Sequence, residues 1–264
     1  EASVVILAAW SAQNPRVLLN SATDKHPKGL ANKNELVGKY MMTHSIAGTW
    51  ALFDEDITPH MGTIGAQFMS YDRYAKTSYP NAFGSTFIVA GAAMKTVDYA
   101  NSRGDLFGPA LAEHMKRAAK GLTRITCFGE GLPRLENQIT LASEKDEFGM
   151  PLARLTHSFD DDAVAVWNAN FDQGVKIAKA TKAKEVWPGR GPVIPTTHLH
   201  GGAIMGTDPK TSAVNRYLQN WDASNLFVMG GSAFPQNPGY NPTGTIAALA
   251  YWSADAITKQ YLKS

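Results

Sequence analysis

The feature that most constrains the fold is an apolar segment followed by a glycine-rich loop and a helical pattern near the end of the chain. Residues 225–229 (NLFVM) are predicted to form a strand, and Gly230, Gly231 and Ser232 follow it directly. An apolar helix is predicted from Pro242 to about Tyr261, with Asn241 as N-cap and Pro242 as its first residue. This order is typical of an α/β sheet, which binds ligands at the carboxyl ends of its strands.

A second apolar run lies at the start of the chain. Residues 4–8 (VVILA) are typical of a strand that is covered on both faces, and a short helix is predicted over residues 16–21. Because proteins rarely begin in mid-sheet, we expect further sequence upstream, including any targeting signal. Residues 1–34 and 188–264 are therefore predicted to form one α/β domain.

The pattern between these segments is different. Residues 35–187 are predicted to form a separate α+β domain with an antiparallel sheet. Its strands are expected at residues 46–53, 85–90, 122–128 and 138–142, and its helices at residues 110–120 and from residues 160–162 to about 182. A Gly/Pro-rich stretch, residues 188–195, leads back to the first domain.

Composition excludes several classes of protein. With 44% hydrophobic and 18% charged residues the chain is globular, and no run reaches the 18 or so apolar residues of a membrane span. The net charge of +2 is spread without a basic stripe, so we expect no nucleic-acid partner. The single cysteine, Cys127, rules out an intrachain disulfide and is expected to be a buried structural thiol.

A histidine beside paired glycines is the first candidate for chemistry. His198 and His200 precede Gly201 and Gly202; a neutral histidine can accept a proton near pH 7, and glycine lets the backbone approach a ligand closely. A lone histidine in a loop is more often a packed residue than a catalyst. His200 is interpreted as pocket lining or structure, His44 as packing, and no metal site is predicted because two histidines lack a third ligand.

Three blocks of sequence carry a resemblance to a known family. They are Gly202-Ala-Ile-Met-Gly-Thr-Asp-Pro-Lys210, Asn215-Arg-Tyr-Leu-Gln-Asn-Trp-Asp222 and Gly239-Tyr-Asn-Pro-Thr-Gly244. With His198 and the Gly-Gly-Ser at residues 230–232, they resemble the C-terminal signature of the glucose-methanol-choline (GMC) oxidoreductases. Within that family the similarity is greatest to the flavoprotein subunits of bacterial gluconate 2-dehydrogenase and fructose dehydrogenase, and weaker matches extend over nearly the whole chain.

The resemblance implies FAD as cofactor and an alcohol as substrate. The family's catalytic histidine maps onto His198 and its partner onto Asn241, and the flavin is expected along Gly231, Ser232, Asn241, Pro242 and Thr243, with Ala8 and Ala9 also at the cofactor. The family's G-x-G-x-x-G loop is absent from this sequence, and Trp10 stands where a small residue is usual. We therefore expect residues 1–34 and 188–264 to be the remnant of an FAD-binding domain, and the chain alone to bind FAD poorly.

The implied activity is oxidation of a CH–OH group of a sugar, sugar acid or polyol. A cytochrome or a small accessory subunit is an implied partner, and a periplasmic or membrane-associated location is implied as well.

The sequence lacks the motifs of two other enzyme classes. His200-Gly-Gly-Ala203 resembles the oxyanion loop of lipases, but there is no G-x-S-x-G motif, and no tyrosine begins the Tyr-x-x-x-Lys pair of short-chain dehydrogenases. A non-catalytic folded fragment that binds sugar or a partner subunit stays open as the alternative.

Overall fold

Strands from the two ends of the sequence pair with each other. In the computed structural model, which describes residues 2–75, 78–191, 193 and 195–262, β1 (Val5–Leu7) runs parallel to β9 (Leu226–Val228), with Ile6 opposite Phe227. The pairing agrees with the predicted α/β arrangement of the two ends. The expected cover on both faces is wrong for β1, because Val5 and Ile6 are 43% and 53% exposed.

The chain divides into two compact units. Unit 1 comprises residues 1–44, 131–158 and 196–264, and unit 2 comprises residues 45–130 and 159–195. These bounds differ from the predicted ones, because residues 35–44 and 131–158 belong to unit 1. The physical reason for the second segment lies in its contacts with the first helix.

Unit 1 contains the β1–β9 pair, the helix α1 (Gln13–Asn20) and the hairpin of β6 (Gln138–Lys145) and β7 (Pro151–Thr156). The hairpin packs on α1: the Arg16 Nε–H donates to the Pro151 carbonyl at 2.7 Å, and Arg16 pairs with Asp146 at 2.6 Å. The core includes Leu18, Val214, Leu218 and Phe227.

The last helix of unit 1, α5 (Thr243–Ala256), continues as a π-helical turn over residues 257–261. It agrees closely with the helix predicted from Pro242 to about Tyr261. The predicted cap is wrong: Pro242 occupies the N-cap, and no side chain caps the helix. The Asn241 side chain therefore does not cap this helix.

Unit 2 is built on one antiparallel sheet in the order β3-β4-β5-β2-β8. Its strands are β2 (Ser45–Leu52), β3 (Phe68–Ser70), β4 (Thr86–Ala90), β5 (Leu122–Gly129) and β8 (Glu185–Pro188). Helix α4 (Asp161–Ala180) packs on the sheet through Phe171 and Ala178. Helices α2 (Thr96–Asn101) and α3 (Gly108–Gly121) contribute Tyr99 and Ala118 to a second cluster with Trp50.

The fold class predicted from the sequence, α/β plus α+β, is confirmed by the parallel pair and the antiparallel sheets. Cys127 is buried and free, as expected. No helix among the described residues is both long and apolar enough to cross a bilayer.

Candidate active site

A cleft of about 630 Å³ opens in unit 1 at the carboxyl ends of β1 and β9. Its walls come from the ends of these strands, the loop at residues 197–199 and the first two turns of α5. The residues that line it are Ala8, Trp10, Ser11, Thr197, His198, Leu199, Met229, Gly230, Gly231, Asn241, Pro242, Thr243, Ile246 and Ala250. The volume lies in the range of about 300–1,000 Å³ that is usual for small-molecule sites.

Six of the eight predicted site residues line this cleft: Ala8, His198, Gly231, Asn241, Pro242 and Thr243. The other two do not. The Ala9 N–H donates to the Asn14 side-chain oxygen at 2.7 Å, and Ser232 is fully buried, with its Oγ accepting from Asn14 Nδ2 at 2.7 Å. Asn14, which the sequence reasoning missed, therefore supports the wall of the cleft from behind.

The protonation of His198 follows from a chain of ring nitrogens. His44 Nε2 lies 2.8 Å from the Pro238 carbonyl oxygen, and His44 Nδ1 lies 3.0 Å from His198 Nδ1. A carbonyl can only accept, so His44 carries its proton on Nε2 and, when neutral, accepts at Nδ1. His198 must then carry its proton on Nδ1. Nε2 of a neutral His198 is therefore the nitrogen with the lone pair, which is the form that a base requires.

The backbone around His198 is anchored to the segment that carries His44. The Thr196 N–H donates to Thr43 Oγ1 at 2.9 Å, and Thr43 Oγ1 also lies 2.9 Å from the Thr196 carbonyl. The His198 N–H donates to Thr196 Oγ1 at 3.1 Å. These bonds hold the two histidines in register.

Burial lowers the pKa of His198 below its usual value of 6.5. The ring is half-buried, and burial penalises the charged form. His198 is therefore neutral at pH 7 and able to accept a proton.

His200 is fully buried and behaves differently. Neither of its ring nitrogens has a hydrogen-bond partner among the described residues, and it packs against Phe234 at 4.9 Å and His44 at 5.8 Å between ring centroids. Burial, with the neighbouring His44 and His198, lowers its pKa to about 3. The structure therefore supports a packing role for His200. The described residues contain no group of three side chains that could hold a metal ion.

One side of the cleft combines an open glycine after β9 with the start of α5. Gly230 has φ of 101°, and a Cβ there would meet no atom within 4 Å, so the backbone is open to a ligand. The first N–H groups of α5 have no intrahelical acceptor, and their positive end faces the cleft. The Asn241 Oδ1 is buried and without a hydrogen-bond partner in the described part of the chain.

Trp10 also lines the cleft, in an unusual conformation. Its φ is 80°, in the left-handed region that favours glycine, and its side chain is 51% exposed. Such a conformation costs a non-glycine residue roughly 1–3 kcal/mol.

Comparison with known proteins supplies the family. Residues 133–250 match the family model of the GMC oxidoreductase C-terminal domain. Residues 133–250 thus belong to the GMC oxidoreductase C-terminal family, and they include segments of both units. The chain is 36% identical to a gluconate 2-dehydrogenase flavoprotein from Pantoea cypripedii over 100% of its own length and 45% of that protein's. It is 30% identical to the fructose dehydrogenase large subunit of Gluconobacter japonicus, with coverages of 97% and 47%.

The solved structures of two oxidases share the fold. A pyridoxine 4-oxidase superposes with a TM-score of 0.58 at 16% identity, covering 97% of this chain and 51% of that one. A formate oxidase from Aspergillus oryzae, whose FAD modification was studied by mutation, superposes with a TM-score of 0.63 at 12% identity, with coverages of 98% and 55%. The chain thus spans about half the length of the relatives that it matches.

Proposed function

We propose that this chain is part of an FAD-dependent oxidoreductase that oxidises a CH–OH group of a sugar, sugar acid or polyol. The observation that carries the proposal is the hydrogen-bond chain from the Pro238 carbonyl through His44 to His198, which leaves Nε2 of a cleft-lining histidine ready to take a proton. The GMC domain and the named activities of its relatives support the substrate class.

The residues of the cleft fit a flavin. The open backbone at Gly230 and the positive end of α5 form one wall that suits a planar, electron-rich ring, and the buried unpartnered oxygen of Asn241 can accept a hydrogen bond from an N–H group of that ring. Gly231, Pro242 and Thr243 would hold the cofactor there, and Ser232 would support them through Asn14. When bound, FAD would supply the acceptor for a hydride from the substrate carbon.

His198 provides the base. An alcohol becomes a good hydride donor only as its hydroxyl proton leaves, so a base must lie within hydrogen-bond reach of that oxygen. His198 Nε2 takes this proton, while His44 holds the imidazole in the required tautomer. Asn241 donates a hydrogen bond from its amide Nδ2 to the same substrate oxygen and orients the carbon. A cytochrome or a small accessory subunit would be its protein partner, and the protein would work in the periplasm or at a membrane surface.

The test is His198→Ala in the enzyme that contains this chain. Removal of a general base typically slows a reaction by about 10²- to 10⁴-fold. We expect flavin reduction in anaerobic stopped-flow to slow by this factor, with the bound FAD measured by its absorbance and unchanged. The wild-type rate should rise with pH through a pKa below 6.5, because burial lowers the pKa of His198.

His60→Ala is the matched control, because His60 is exposed in unit 2 and its loss should leave the rate unchanged. Flavin reduction by the His198 variant within about threefold of wild type, well short of the general-base range, would remove His198 from the mechanism.

A further inference from the structure

Three side chains lie in a row across adjacent strands of the unit 2 sheet. Arg124 on β5 is directly opposite Trp50 on β2, and Trp50 is opposite Trp187 on β8. Residues paired in this way project from the same face of a sheet. The Arg124 guanidinium lies over the Trp50 ring, 5.2 Å from its centroid. The row therefore presents one cation beside two indoles.

Gly48 leaves the space that the Arg124 side chain occupies. A Cβ built on Gly48 would overlap the guanidinium at Nε and at one terminal nitrogen. Gly48 lies two residues before Trp50 on β2 and so shares its face. The arginine is thus held flat against the sheet by the glycine beneath it and the indole beside it.

No carboxylate of the described residues forms an ion pair with Arg124, and the Asp98 carboxylate acts on it only at longer range. Within the described residues its guanidinium makes no hydrogen bond or ion pair, and its Nε is buried. Burial also lowers its pKa, although an arginine stays charged in a protein. A buried charge without a partner is costly, so an unpaired one in a cavity wall is a candidate for ligand binding.

The cavity at this row, about 850 Å³, contains other charges that are already matched. Arg103 binds Asp105 through two hydrogen bonds of 2.8 and 2.7 Å. Glu185 pairs with Arg117.

Two further charged residues, Asp98 and Arg190, lie near the Arg124 side chain or in the cavity wall. Asp98 on α2 accepts from the Lys95 N–H at 2.7 Å, and Arg190 lies over Phe171 with Asp172 at 3.9 Å. Arg124 is left as the cation with no carboxylate of its own.

We propose that this cavity binds a small hydroxylated carboxylate, with Arg124 as the residue that receives its carboxylate group. A guanidinium matches a carboxylate in planar, bidentate geometry, which gives shorter and stronger hydrogen bonds than neutral pairs. Asn101 and Asp105, both exposed, line the same cavity and offer partners for hydroxyl groups. The volume suits a molecule of monosaccharide size. The proposal does not depend on the role of His198.

The experiment uses the 264-residue chain and three probes: sodium gluconate, the uncharged sorbitol of the same carbon number, and inorganic phosphate. Titrations are followed by the NMR signals of the Arg124 Nε–H and the Trp50 indole N–H. Gluconate should shift both signals, sorbitol should bind at least about tenfold more weakly, and Arg124→Gln should weaken gluconate binding by about tenfold to a hundredfold, as for the loss of a charge-assisted hydrogen bond.

Two more variants separate binding from folding. Gly48→Ala keeps the charge but displaces the guanidinium and should weaken gluconate binding as well. Arg154→Gln removes an equal charge from an exposed position on β7 and should leave binding unchanged. Without ligand, Arg124→Gln should melt no lower than wild type, because it removes an unpaired charge. Gluconate should raise the melting temperatures of wild type and of Arg154→Gln equally, and that of Arg124→Gln much less.

Three results would overturn the proposal. They are binding of sorbitol as tight as that of gluconate, tighter binding of phosphate than of gluconate, and unchanged gluconate affinity in both Arg124→Gln and Gly48→Ala. If Arg124→Gln does not fold, the comparison of Gly48→Ala with Arg154→Gln decides.

Discussion

At the scale of single residues, His44 determines which ring nitrogen of His198 carries the proton, and His44 is not itself expected to touch substrate. His44 Nδ1 accepts a hydrogen bond from His198 Nδ1–H, because the His44 Nε2–H donates to the Pro238 carbonyl. A histidine without such a neighbour exchanges between two tautomers, only one of which has its lone pair on Nε2. His44 is thus a positioning residue under the proposed function.

We expect His44→Phe to slow flavin reduction on the order of tenfold, because His198 loses the acceptor that fixes its tautomer. His44→Asn keeps an oxygen near the position of Nδ1 and should restore most of the rate. The ¹⁵N shifts of His198 in the 264-residue chain should show a mixture of tautomers in the phenylalanine variant alone. A single unchanged tautomer in that variant would contradict the role given to His44.

The sequence predicted part of this site. His198 and Asn241 were found because histidine is the side chain that accepts a proton near neutral pH and because their motifs resemble a family signature. The role of His44 could not be read from the sequence, since it depends on contacts across 154 and 194 positions. Its only signal was a position in a family-like stretch, which fits packing equally well.

A second residue, His200, should make the protein sensitive to acid. Burial lowers its pKa to about 3, so the unfolded state, with a pKa near 6.5, binds the proton more readily than the folded state. Stability is therefore full above pH 6.5 and falls as the pH drops toward 3.

Between pH 7 and pH 4.5, His200 should lower the free energy of unfolding by roughly 2–3 kcal/mol. In urea unfolding, the free energy of unfolding of His200→Leu should fall less than that of wild type over this pH interval, by about this amount. His26→Leu, at a half-buried position of the same unit, is the control. Equal pH dependence in wild type and His200→Leu would show that the buried ring does not carry the effect.

At the scale of elements, glycines decide where the chain can turn. Gly201 has φ of 76°, and a Cβ there would overlap the Tyr40 carbonyl oxygen. Its N–H donates to the Gly231 carbonyl at 3.0 Å, which ties the histidine segment to the glycine turn after β9. The conformation and the close approach both require glycine.

Gly201→Ala should therefore lower the free energy of unfolding by about 2 kcal/mol or more, the sum expected for a left-handed alanine and a backbone overlap. Gly244→Ala is the matched control: a Cβ there meets nothing within 4 Å, and alanine should stabilise α5 by up to about 1 kcal/mol. Urea denaturation measures both. A Gly201→Ala protein as stable as wild type would contradict the argument.

The elements themselves were predicted unevenly. Helices α3 and α4 follow from their apolar periodicity and, for α4, from the acidic residues at its start, where Asp160 caps Ala163 at 2.8 Å. Short elements such as β3, β8 and α2 were missed, because three to six residues carry too little periodicity to read. The β6–β7 hairpin was recognised in part but placed in the wrong unit, because Arg16 holds it across about 130 positions.

At the scale of the whole molecule, apolar residues are exposed on the elements that form the cleft of unit 1. The faces of β1 are exposed at Val5 and Ile6, and α5 exposes Tyr251 and Trp252 at 80% and 50%. Trp10 adopts a left-handed conformation at the mouth of the cleft. The sequence has no G-x-G-x-x-G loop to bind the pyrophosphate of FAD, so under the proposed function the cleft would contact only one part of the cofactor.

We therefore expect the 264-residue chain to bind FAD with a Kd well above about 1 μM. A Kd of about 1 μM corresponds to a binding free energy of roughly 8 kcal/mol, and we expect the contacts in this cleft to provide less. The walls at Gly230 and α5 can bind a planar ring, but nothing in this sequence resembles the family's phosphate-binding loop. Trp10→Gly should relieve the strained φ, widen the mouth of the cleft and raise the melting temperature of the chain.

Flavin fluorescence quenching measures the affinity of the unchanged chain for FAD. A colourless preparation that takes up no FAD agrees with this expectation, whereas a yellow one with micromolar or tighter binding would show that unit 1 alone supplies most of the flavin site.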